Sequence, residues 1–185
     1  MGRLDGKVAL ISGSSKNQGA AEAKLFTAEG AKVVFGDIAD EEGRAVEVEI
    51  KAAGGEADYM HLDVTSAADW QAAVAHACER FAKLDILINN AGAIPAGDLL
   101  TIDEARWREA WDLKVFGYIN MCRAFYNVMK DRGHGTIINV TGLAADRTDS
   151  GYVAGTAGNA SLNAFTKAVG GRSLNDGVRI MSVSP

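Results

Sequence analysis

Seven residues, Gly13-Ser14-Ser15-Lys16-Asn17-Gln18-Gly19, form a glycine-bounded turn between the apolar run Val8-Ala9-Leu10-Ile11 and an alanine-rich stretch. A turn that passes a buried strand into a helix leaves the first N–H groups of that helix unpaired. Those groups, together with the positive end of the helix dipole, attract an anion. A second apolar run, Lys32-Val33-Val34-Phe35-Gly36, ends on Asp37, 18 residues beyond Gly19. A carboxylate at that strand tip accepts hydrogen bonds from a ribose diol. Together these residues have the chemistry to hold a dinucleotide, with its pyrophosphate on the turn and its ribose at Asp37. The turn alone would describe any strand-to-helix junction; the strand before it, the helix after it and the acid closing the next strand supply the required context.

Such a grip needs a parallel sheet with helices between its strands, and the chain is patterned for one. Apolar runs alternate with helical stretches throughout, which predicts a doubly wound Rossmann-type α/β fold with helices on both faces. Six strands are expected, at residues 8–11, 32–36, 57–61, 85–88, 136–140 and 178–183. Helices are expected at 19–29, at 41–53 with Gly54-Gly55 as a left-handed stop, at 103–130 and at 151–171. A further helix capped by Thr65 or Ser66 would turn Trp70, Val74, Cys78 and Phe81 toward the sheet. Ligands of open parallel sheets lie beyond the carboxyl ends of the strands, an edge that Gly13, Asp37, Asp63 and Asn90 would share.

Composition narrows the function classes. A chain of 185 residues, 48% hydrophobic, is expected to form a single domain over 1–185. With 21 glycines, two prolines and no low-complexity tract, it reads as folded throughout. A net charge of −5 with scattered basic residues argues against nucleic acid and anionic membranes as partners. No apolar run reaches the ~20 residues that span a bilayer, and the N-terminus lacks an export signal, so a cytoplasmic protein is expected. Cys78 and Cys122 lack CxxC spacing and read as buried thiols. His61, His76 and His134 fit no metal spacing, so no metal is expected.

At this level of detail the sequence resembles the short-chain dehydrogenase/reductase family from about Leu4 to Pro185. The family's Thr-Gly-x-x-x-Gly-x-Gly turn is matched by Ser12-Gly13-Ser14-Ser15-Lys16-Asn17-Gln18-Gly19, with Asn17 in place of the middle glycine. Asparagine tolerates left-handed backbone angles better than other side chains do, so the turn can survive the exchange. Asp63-Val64 matches the adenine-contacting pair, and Asn89-Asn90-Ala91-Gly92 matches the Asn-Asn-Ala-Gly element in full. The resemblance thus implies a nicotinamide cofactor held by Gly13, Ser15, Lys16, Asn17, Gln18, Gly19, Asp37, Asp63, Val64, Asn90, Ala91 and Gly92. Asp37 favours NAD, because a carboxylate there repels the 2′-phosphate of NADP. Lys16 occupies a position where a basic residue often contacts that phosphate, so NADP stays possible.

The resemblance also implies hydride transfer between nicotinamide and an alcohol or ketone, with a tyrosine as acid/base and lysine, serine and asparagine around it. Tyr152 matches the tyrosine, but Thr156 stands where the family's Tyr-x-x-x-Lys has lysine. Gly142 falls at the serine position, which leaves Thr141 as the nearest hydroxyl and Ser150 as a weaker one. Alternation along a strand would point Thr141 away from the side of residue 142. Aligning Trp107 and Gly117 with the family's Trp-x6-Asn-Leu-x-Gly puts Lys114 at the asparagine position. Either Lys114 reaches toward Tyr152 and supplies the charge missing at 156, or it is a solvated surface or interface lysine. The catalytic candidates are therefore Tyr152, Lys114 and Thr141, and the alternative function is a catalytically impaired nucleotide-binding scaffold or regulatory protein. The resemblance further implies a homo-oligomer, with dimer contacts through helices 103–130 and 151–171. The family's last strand and helix, which carry much of the substrate lid, have no counterpart among these 185 residues.

Overall fold

The computed structural model describes residues 2–185. Six strands, β1 (Val8–Ser12), β2 (Lys32–Asp37), β3 (Glu56–His61), β4 (Ile86–Asn89), β5 (Gly135–Val140) and β6 (Val178–Val183), form one sheet in the order β3-β2-β1-β4-β5-β6. Every neighbouring pair is parallel, with Ile11 in register with Phe35 on one side and Ile88 on the other. The order reverses between β1 and β4, and there the carboxyl ends of two adjacent strands leave a crevice.

The alternation of β1 shows why its residues are all apolar. Val8 and Leu10 enter one core, with Leu87, Met121, Phe125 and Ile137, whereas Ala9 and Ile11 enter the other, with Val33, Phe35, Val46 and Ile50. A central parallel strand covered on both faces has no polar side to show. Helices α1 (Asn17–Ala28) and α2 (Asp40–Ala52) cover the second core. Helices α3 (Ala67–Phe81), α5 (Gly117–Asp131) and α6 (Val153–Ser173) cover the first. Asp40, Glu41 and Glu42 in the first turn of α2 and Lys51 in its last complement the helix dipole.

The chain departs from the sequence expectations at several points. The helix expected over 103–130 is three pieces: α4 (Glu104–Trp111), a π-helical turn (Asp112–Phe116) and α5. The extra residue shifts the apolar stripe by one position between α4 and α5, a step that a run of apolar residues across the junction does not reveal. α3 begins after Ser66, whose Oγ accepts the Asp69 N–H at 3.3 Å, and its innermost residues are Ala73 and Ala77. Trp70, Val74 and Phe81 flank them half-buried, and Cys78 is half-buried rather than buried; only the Cys122 thiol is fully enclosed. The α6 helix starts at Val153, with Tyr152 at its N-cap.

Candidate functional site

The glycine turn is built by backbone geometry that few residue types permit. Gly13 has φ +65°, and a Cβ there would stand 2.4 Å from the Ala91 Cα, because the turn lies directly against the end of β4. Asn17 adopts φ +48°, the left-handed angle at which asparagine substitutes for glycine. Cross-links then fix the turn to both neighbouring strands. Asn90 Nδ2 donates to the Gly13 carbonyl at 2.8 Å, and the N–H groups of Asn90 and Ala91 both donate to Ser12 Oγ. Ser14 Oγ donates to the Gly36 carbonyl, and the Ser15 N–H to Asp37 Oδ2 at 3.1 Å.

All twelve residues expected from the sequence to hold the cofactor line one groove of about 500 Å³ at this edge, a volume suited to a small-molecule site. The groove fits a dinucleotide in its chemistry as well. No side chain caps α1, so its first N–H groups face the groove without a protein partner. A Cβ at Gly19 would meet the Gly13 carbonyl oxygen at 2.1 Å, which keeps the cradle open only for glycine. Asp37 closes the β2 side. Lys16 does not stand free there: its Nζ lies 2.6 Å from Glu42 Oε1, and that hydrogen bond raises its pKa. At the far wall Asp63 accepts hydrogen bonds from the N–H and hydroxyl of Thr65, and Val64 is buried against Gly117.

Lys114 lies beneath the end of this groove. Its stem passes under Gly92, where a Cβ would come within 2.3 Å of the lysine Cδ. Its Nζ donates to the Val140 carbonyl at 3.0 Å and to Tyr118 Oη at 3.2 Å, and the Tyr118 hydroxyl also donates to Val140 at 2.9 Å. Burial, with no carboxylate in contact, draws the Lys114 ammonium from 10.5 down to about 8. The same burial pushes Tyr118 well above its ordinary value, so it is a neutral hydroxyl. The solvated alternative for Lys114 does not apply, and the hydrogen-bonding partner is Tyr118, one helical turn on, rather than Tyr152.

Tyr152 sits where the loop after β4 meets α6: the Val153 N–H donates to the Gly97 carbonyl and the Gly97 N–H to Gly151. Its ring is folded over Gly155, where a Cβ would come within 2.0 Å of ring carbons. Burial raises the Tyr152 hydroxyl pKa, and no neighbouring cation pulls it back. Thr141 is 2% exposed, and its hydroxyl donates to Asn163 Oδ1 at 2.9 Å and lies 2.8 Å from Ser184 Oγ. Thr141 follows the last residue of β5, and it and residue 142 both meet α6, at Asn163 and Asn159 one turn apart, so these contacts tie the end of β5 to β6 and α6. Ser150 is exposed in the loop.

Three residues of this region were not singled out from the sequence. Tyr118 lies four positions after Lys114 on the same helix face, a spacing that was available as a signal. Trp111 Nε1 donates to the Ala154 carbonyl at 3.1 Å and so joins the two helices that carry Lys114 and Tyr152. Asn159, buried in α6, carries an Oδ1 without a hydrogen-bond partner. No local pattern marks the last two, because their partners lie tens of residues away.

Comparison with known proteins shows the family to which the chain belongs. The short chain dehydrogenase family model matches residues 7–185. A 3-alpha-(or 20-beta)-hydroxysteroid dehydrogenase of Mycobacterium tuberculosis is 41% identical over 187 residues, covering 100% of this chain and 70% of that protein. A 2,5-dichloro-2,5-cyclohexadiene-1,4-diol dehydrogenase of Sphingobium indicum is 38% identical, covering 99% of this chain and 73% of its own length. Among solved structures, a 7 alpha-hydroxysteroid dehydrogenase in complex with NADH and 7-oxo glycochenodeoxycholic acid superimposes with a TM-score of 0.94 at 28% identity. That match covers 99% of this chain and 71% of the other.

Proposed function

Because this chain belongs to the short-chain dehydrogenase family, we propose that it interconverts a secondary alcohol on a carbocyclic ring and the corresponding ketone, with NAD as the preferred cofactor. The chain is an NAD(P)-dependent oxidoreductase, and a bound nicotinamide supplies or accepts the hydride. The alicyclic substrate class rests on the relatives above, whose names all describe ring alcohols or ring ketones. The NAD preference rests on one observation: the Asp37 carboxylate lines the β2 end of the groove, and Lys16, the one lysine lining it, is paired with Glu42. A 2′-phosphate would meet net negative charge there.

In this reading Gly13, Ser15, Lys16, Asn17, Gln18 and Gly19 hold the pyrophosphate, Asp37 the adenosine ribose, and Asp63 and Val64 the adenine. Asn90, Ala91 and Gly92 form the floor beside them. Tyr152 exchanges a proton with the substrate oxygen. Lys114 provides positive charge at the ends of β4 and β5, and being without a counter-ion it favours negative charge developing nearby. Thr141 fixes the end of β5 through Asn163 and Ser184. We read the whole of 1–185 as one domain, cytosolic in keeping with its two free thiols. The groove lined by Leu99, by Trp107 and Trp111 of α4 and by half-exposed Phe116 of the π turn is the surface for a second copy. The test is the initial rate of absorbance change of the nicotinamide, with NADH or NADPH and cyclopentanone-type, cyclohexanone-type and oxosteroid substrates, or with NAD+ or NADP+ and the corresponding alcohols. Turnover with NADH at least ten times more efficient is expected, and no turnover across the panel with either cofactor refutes the reading.

A further inference from the structure

Around Tyr152 the family pattern is changed at three positions: threonine replaces lysine at 156, lysine replaces asparagine at 114, and at 142 glycine replaces serine. Residue 142 carries no side chain, yet the space beside it is filled: a Cβ on Gly142 would stand 2.8 Å from Asn159 Nδ2, 3.4 Å from its Cγ and 3.7 Å from its Oδ1. Asn159 reaches this point from α6, 3% exposed, and its Oδ1 has no hydrogen-bond partner. Tyr152, Thr156 and Asn159 follow at spacings of four and three, so they share one face of the helix. The Thr156 hydroxyl is likewise buried and unpartnered.

An unpaired amide oxygen in a low-dielectric site costs about 1–3 kcal/mol, so a buried asparagine whose amide oxygen is unpaired calls for a partner that arrives from outside. Gly142 itself is only half-buried, at the mouth of the loop that leads to Tyr152. We propose that the Asn159 carboxamide takes the place of the absent serine hydroxyl and binds the substrate oxygen over Gly142. A hydroxyl serves at such a point because it both donates and accepts. A carboxamide does the same in either orientation of its amide, donating an N–H to a ketone oxygen and accepting the O–H of an alcohol. Glycine at 142 is the complement of this arrangement, because any Cβ there would displace the amide. Asn159 is thus a substrate-contacting residue supplied from the helix rather than from the strand.

The inference rests on the dehydrogenase reading and makes a reciprocal prediction. Asn159→Ala is expected to lower kcat/KM on the best ring ketone about a hundredfold, the order found when one oriented donor to a reacting oxygen is removed, while NADH affinity stays within twofold. Gly142→Ser alone is expected to be impaired as well, its Cβ colliding with the amide. The double variant, Gly142→Ser with Asn159→Ala, restores the strand-borne hydroxyl and the room for it, and is expected to recover at least tenfold over Asn159→Ala. Asn159→Asp keeps the shape but loses the N–H, and serves as the loss-of-donor variant if the alanine protein does not fold. If the unaltered enzyme turns over but Asn159→Ala loses activity only in proportion to folded protein, or the double variant is no better than Asn159→Ala, the inference is overturned. If the unaltered enzyme turns over nothing on the panel, the dehydrogenase reading itself has failed.

Discussion

Replacing Lys114 by methionine removes a buried charge while retaining the stem that runs under Gly92. The ammonium titrates at about 8 in the folded chain against 10.5 when free. Each tenfold change in proton affinity is worth about 1.4 kcal/mol, so confining the cation destabilises the fold by roughly 3 kcal/mol where the lysine is charged in both states. The sign follows from proton counts. Below pH 8 both states are protonated and the penalty is constant; between 8 and 10.5 the unfolded chain binds more protons, so stability rises with pH. Above 10.5 both are neutral and the penalty is gone. Lys114→Met is therefore expected to be more stable than the parent by up to about 3 kcal/mol at pH 7, with the advantage shrinking steadily toward pH 10.5. The Tyr118 hydroxyl keeps its bond to the Val140 carbonyl, so no acceptor is orphaned. Urea unfolding of both proteins at pH 7 and pH 10 reads the difference, and other titrating groups cancel in it. Turnover should fall in the more stable variant. A variant less stable at pH 7, or a stability difference unchanged between the two pH values, refutes the argument.

Tyr152→Phe is expected to lower kcat at least a hundredfold with unchanged NADH affinity, measured by single-turnover absorbance and fluorescence titration. Gly155→Ala places a methyl 2.0 Å from the Tyr152 ring and must displace it, so kcat should drop tenfold or more while the melting temperature changes little. Asn17→Gly should leave stability and NADH binding near the parent values, whereas Asn17→Val at φ +48° should cost about 1–2 kcal/mol in denaturant unfolding and weaken NADH binding.

That the twelve residues proposed for the cofactor would gather along one groove was legible from sequence because most are marked by residue type and by place at a strand end or turn. Gly13 and Asn17 are specified by their left-handed backbone angles and Asp37 by its place at a strand tip, which are local properties; the clearance of Gly13 against Ala91 is not. The catalytic half was less legible, since its geometry is tertiary. That Lys114 is charged and flanked by apolar residues can be read from the chain, but its selection of Tyr118 and Val140 as partners depends on a π turn and on how α5 meets β5. Asn159 is one polar residue in a small-residue helix until β5 is laid beside it.

The π turn at Asp112–Phe116 also makes the chain sensitive to length rather than to lettering. An inserted residue advances everything after it by about 100° around the helix axis, as one residue in 3.6 must. Trp111, bonded to Ala154, sets the phase on one side, and the α5 stripe of Tyr118, Met121, Cys122, Phe125 and Met129 sets it on the other. Removing one residue between them would leave a helix of ordinary pitch that can satisfy only one of the two. Either α5 turns its apolar stripe out of the core, or Trp111 lets go of the helix that carries Tyr152. Substitutions within the segment are graded in effect; a single-codon deletion there is a choice between a core and an active site.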